Sequence, residues 1–67
     1  MTLDEEARHL AVAEVELRRE FPQVSADAVH EAIEIQRKAF ERAPIRDFVP
    51  LLVARDVRTE LRHRLAD

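Results

Sequence analysis

Two proline-marked breaks, Phe21-Pro22 and Ala43-Pro44, cut this chain into three segments. In each segment apolar residues recur at the helical period of about 3.6 residues. Glycine is absent, and Ala, Leu, Glu and Arg dominate, all residues that lose little freedom in a helix. The loops left around the prolines are short, and short loops make neighbouring helices run antiparallel. The expected fold is therefore all-α, an antiparallel three-helix bundle over residues 1–67, with helices at about 3–21, 26–42 and 47–65.

The first helix opens on a capping-box spacing, Thr2 to Glu5, with Asp4, Glu5 and Glu6 placed to complement the positive end of its dipole. Leu3, Ala7, Leu10, Leu17 and Phe21 fall on one stripe, with Ala13 at its edge. For the second helix, Ser25 is the N-cap, Asp27 sits in the first turn, and Val24 is spaced to staple against Val29. Val29, Ala32, Ile33, Gln36, Ala39 and Phe40 share its stripe, and Pro44 ends it near Arg42 or Ala43. The third helix begins at Asp47, as an N-cap, or at Pro44 with a kink near Pro50. Its inward stripe is Leu51, Ala54, Val57, Leu61 and Leu65.

Sixty-seven residues are few for a self-sufficient core. A chain of this size buries only about 60% of its unfolded surface, and such a core seldom supplies more than roughly 3–5 kcal/mol. With no Cys, disulfides and thiolate metal sites are excluded, and His9, His30 and His63 are too scattered to suggest zinc. Helix packing and oligomerisation are the remaining supplements.

The apolar residues outside the stripes point to oligomerisation. Val12, Val15 and Ile35 lie off their stripes, and Phe48, Val49, Leu51, Leu52 and Val53 make the third helix apolar all round at its start. Burying one such side chain is worth about 1.5–3 kcal/mol, and contiguous exposed apolar patches usually mark interaction sites. A second copy is the simplest cover, since twofold homodimers are the commonest oligomer. The expected interface is Phe48, Val49, Leu51, Leu52 and Val53, joined by Val12, Val15 and Ile35.

Candidates for chemistry are few. Glu14 falls inside the apolar stripe of the first helix and needs a cation, which Arg18, Arg55 or Arg58 can supply; Glu14–Arg58 is the expected structural ion pair. A lone carboxylate without a second acid, nucleophile or metal ligand makes no active site, so no enzyme activity and no cofactor are expected. The basic group Arg55, Arg58, Arg62, His63 and Arg64 suggests the alternative function, contact with nucleic acid or an acidic partner. Against nucleic acid stand the net charge of −3 and the absence of Trp and Tyr for stacking. The same cations suit a helix C-terminus and have Asp56 and Glu60 within a turn. No apolar run approaches the ~20 residues that span a bilayer, and no signal-peptide pattern opens the sequence. The expectation is a soluble, cytoplasmic chain.

The stretch IRDFVPLLVARDVRTEL, from Ile45 to Leu61, carries a family resemblance. Arg46, Asp47, Phe48, Val49, Pro50, Leu51, Leu52, Val53 and Arg55, with Arg58 and Leu61 beyond, resemble the pattern of the actinobacterial three-helix-bundle dimerisation domain. That domain occurs alone or ahead of a low-molecular-weight protein-tyrosine-phosphatase or arsenate-reductase-like domain. Upstream, Leu17, Phe21 and Pro22, then Val24-Ser25 and Val29, fit as well, while Ala54 departs from the common Glu. The resemblance implies a homodimerising bundle with the third helix near its interface and no catalysis. Its partner would be itself or the matching domain of a larger protein of that kind.

Overall fold

The protein, seen in a computed structural model that describes residues 2–66, consists of three helices packed against one another: α1 (Leu3–Glu20), α2 (Ala26–Ala39) and α3 (Val49–Ala66). The local signals explain the first two starts. Thr2 Oγ1 accepts from the Glu5 N–H at 3.2 Å, and Ser25 Oγ accepts from the Ala28 N–H at 3.1 Å. Each cap satisfies an orphan amide, worth ~1 kcal/mol relative to alanine.

The second helix stops short of Arg42. After Ala39 the chain tightens, with Glu41 N–H donating to Lys38 O at 3.1 Å and Ala43 N–H to Phe40 O at 3.0 Å. These three-residue bonds let the backbone leave the helix before Pro44 forces it to. The third helix begins after Asp47, not at it. Phe48 O accepts the first helical bond, from Leu52 N–H at 2.9 Å, so Phe48 occupies the N-cap position. Pro50 then lies in the first turn, where its missing N–H breaks no helical bond.

Long-range polar contacts set the course of the chain. Arg46 bonds Glu6 at the start of α1, and Arg58 in α3 bonds Glu20 at its end, so α1 and α3 run the same way. Arg46 also donates to Phe40 O at the end of α2, which places that end beside the start of α1 and gives α2 the opposite sense.

The core is Leu10, Leu17 and Phe21 from α1 and its cap, Val29, Ala32 and Ile33 from α2, and Val49, Val53, Val57 and Leu61 from α3. The α3 stripe is therefore rotated from the expected one. Leu51 and Leu65 are exposed, and Val49 and Val53 take the inward positions. The start of α3 is apolar on every side, but Val57 and Leu61 continue the line of Val49 and Val53 at steps of four and give it a direction. Two bonds hold the same orientation: Arg46 docks before the helix, and Arg58, midway along it, reaches α1 from one flank.

Candidate interaction surface

Turning Val49 and Val53 inward leaves the other apolar residues of the segment outside. Val49 and Val53 are 1% and 0% exposed and belong to the core, so they are not available as interface residues, against the expectation. Ile45, Phe48 and Leu51 are 65%, 61% and 67% exposed, and Leu52 is half-buried beside them. At about 100° per residue, Phe48, Leu51, Arg55, Thr59 and Arg62 make one outward stripe. It lies opposite the buried Val49, Val53, Val57 and Leu61. The apolar end of this stripe is a patch of three side chains within seven residues.

Val12, Val15 and Ile35 are also exposed, but on α1 and α2. Val12 lies on the side of α1 turned away from Leu10 and Leu17, and Ile35 lies off the buried face of α2. The eight expected interface residues thus split. Two are core, three belong to the start of α3, and three sit on other helices.

A clamp holds the patch in place. The Arg46 Nη1 donates to Phe40 O at 2.6 Å and to Glu41 O at 3.0 Å, capping the end of α2. Its Nη2 donates to Glu6 Oε2 at 3.1 Å. Glu6 is only 6% exposed, and its Oε1, 2.9 Å from the same nitrogen, is buried without a hydrogen bond of its own. Arg46 thus points inward between Ile45 and Phe48, which point out. Glu6 in the first turn reads as a dipole-complementing acid. The signal for its burial is its spacing, four residues before Leu10 and eleven before Leu17, on their face of the helix.

The expected Glu14–Arg58 pair is not formed. Arg58 sits on the flank of α3 next to Glu20, to which its Nε donates at 2.7 Å and its Nη2 at 3.1 Å. That bond holds the Glu20 carboxyl below its ordinary pKa, and Glu20 in turn raises the pKa of Arg58. Glu14 faces α2 instead, bonding Arg18 one turn on and lying 2.9 Å from His30 Nδ1. Glu14 is placed on the α2 side of its stripe, so α3 is out of reach. Of the basic group in α3, Arg55 pairs with Asp56 at 3.2 Å and Arg64 with Glu60 at 3.4 Å.

Bonding to Glu14, then its charge and that of Glu34, raise the pKa of His30 against the opposing pull of desolvation and Arg18. A histidine whose folded pKa exceeds its unfolded value stabilises the fold fully below about pH 6.5. That contribution fades as the pH rises through the folded value. The wild type is therefore expected to lose stability relative to His30→Ala between about pH 6 and pH 8, read as the difference of their urea midpoints. Parallel pH profiles would show that the pair contributes nothing.

On the side away from α3, α1 and α2 leave an open groove of about 450 Å³. Leu10 and Ile33 form its floor, the short side chains of Ala7 and Ala11 leave its width, and Glu6, Glu14 and Glu34 line it beside His30 and Arg37, the partners of Glu14 and Glu34. Glu34 is bridged by Arg37 at 2.9 Å, which holds its carboxyl below the ordinary value. Among the described residues no group of three or more His, Cys, Asp or Glu is arranged to hold a metal ion, and no helix is long and apolar enough to cross a membrane. Compared with protein-family models, with curated proteins and with solved structures, the chain finds no match.

Proposed function

We propose that this protein is a non-catalytic self-association module that pairs with another copy of itself through the apolar start of α3. The observation that carries the reading is the joint exposure of Ile45, Phe48 and Leu51 in a chain with little core to spare. Large apolar side chains grouped on a small surface are what association buries. The likeness of Ile45 to Leu61 to the three-helix-bundle dimerisation domain supports the same reading, and with it the matching domain of a phosphatase-like or arsenate-reductase-like protein as a second partner. The interface centres on Phe48 and Leu51 with Leu52 at its edge; Val12, Val15 and Ile35 lie outside that patch.

Sedimentation equilibrium at micromolar to millimolar concentration tests this. The expected mass rises above the monomer's 7.8 kDa with concentration, and Phe48→Asp or Leu51→Asp returns it to 7.8 kDa with helix content unchanged. Both positions are exposed, so the substitutions spare the core. A wild type of 7.8 kDa at every concentration refutes self-association.

A further inference from the structure

We infer that two copies pair about a twofold axis at Leu51 with their α3 helices antiparallel, the Phe48 ring of each lying against Leu52 and Arg55 of the other. This arrangement rests on the reading that the start of α3 binds a second copy. Two observations choose it over parallel helices.

The first is where the charge lies. The outward stripe of Phe48, Leu51, Arg55, Thr59 and Arg62 is apolar at its start and basic further on, and none of the five is acidic. Parallel helices stack the whole stripe on its twin, with Arg55 at the level of Arg55 and Arg62 at the level of Arg62. Like charges placed opposite one another across an interface disfavour it. Antiparallel helices meeting at Leu51 join only the apolar turn. The two Arg55 residues then stand eight positions apart along the helices, about 12 Å. The two Arg62 residues stand twenty-two positions apart, about 33 Å. Both separations exceed the ~8 Å over which exposed charges act at physiological salt.

The second is what flanks Leu51. At about 100° per residue, Phe48, Leu52 and Arg55 all stand on one side of it around the helix. An antiparallel twofold at Leu51 keeps that side and reverses the height. Phe48, three positions before Leu51, then meets the partner helix between Leu52 and Arg55, one and four positions after it. Arg55 is free to turn toward the ring. Its side chain is 66% exposed, and among the described residues its guanidinium makes one bond, from Nε to Asp56 at 3.2 Å. A guanidinium over an aromatic face is attracted by the ring. Parallel helices hold Phe48 and Arg55 seven positions apart and give the cation no ring.

The shape of the dimer follows. Antiparallel copies overlap at their α3 starts alone and extend in opposite directions, so the pair is longer than the 35 Å of one bundle.

Spin labels on exposed single-cysteine variants test the inference, since the chain has no Cys of its own. Arg62→Cys carries one nitroxide per copy, and pulsed electron spin resonance reads the distance between the two labels of a dimer. Sedimentation follows the mass, and circular dichroism verifies helix content. The expected separation is about 30 Å or more. Arg55→Ala is expected to weaken dimerisation by about fivefold or more, because each dimer holds two contacts between Arg55 and Phe48. Phe48→Asp in the labelled chain should return it to the monomer. If Phe48→Asp is monomeric but the labels lie closer than that, or Arg55→Ala leaves association unchanged or tightens it, the antiparallel arrangement falls and self-association through the patch stands. If Phe48→Asp still associates, or the wild type stays at 7.8 kDa at every concentration, both fall.

Discussion

Leu17→Ala is expected to bring this protein to the edge of unfolding at room temperature. Leu17 is 0% exposed and lies between Leu10 and Phe21 in the shared core. Truncating a buried leucine removes its transfer free energy and leaves a cavity, together worth about 2–5 kcal/mol. A domain of 67 residues has roughly 3–5 kcal/mol in total to lose. Urea titration at low micromolar concentration reads the effect, since self-association at higher concentration would add stability of its own. The midpoint should fall toward zero urea, whereas Val12→Ala, at an exposed site on the same helix, should shift stability by no more than about 0.5 kcal/mol. A loss below about 1 kcal/mol for Leu17→Ala would mean that the core is not closely packed around it.

Arg46→Met is expected to destabilise the fold by roughly 3 kcal/mol, the low end for breaking a buried pair. The low end applies because the Arg46 side chain is 28% exposed and water can replace part of what it does. The loss comes from what remains behind. The Glu6 carboxyl, 8% exposed at its side chain, is left buried with no cation, and Phe40 O and Glu41 O lose their donor. Removing both charges is milder. The double variant Glu6→Leu with Arg46→Met should recover at least half of the lost stability, because an apolar pair leaves no buried charge unmatched. A double-mutant cycle from urea midpoints gives the coupling directly. Additive losses would show that the two side chains act independently. The same cycle bears on association, because Arg46 fixes the loop from which Ile45 and Phe48 project.

Much of the fold was legible because it rests on local rules. Thr2 and Ser25 announce helix starts through side-chain oxygens that reach only their own first turns. Val29, Ala32 and Ile33 declare a buried face through period alone. The end of α2 was less legible, since Pro44 sets an outer limit and the tighter turn after Ala39 stops the helix sooner. On α3 the expected stripe departed from the period itself: steps of four back from Val57 and Leu61 reach Val53 and Val49, which the packed chain buries, while Leu51 falls on the opposite side.

The polar pairs divide in the same way. The Glu14–Arg18 bond is one helical turn and follows from spacing. The bonds from Arg46 to Glu6 and from Arg58 to Glu20 span forty and thirty-eight residues, and no local pattern specifies them. Three helices, their caps, the buried line of α3 and the surplus of apolar residues near Phe48 follow from residue order, because propensity, capping and period act within a turn or two. What needed the folded chain was the set of polar pairs that join one helix to another. The bonds from Arg46 to Glu6 and from Arg58 to Glu20 form only when α3 lies along α1, and side-chain reach across forty residues of chain is a property of packing, not of spacing within a helix.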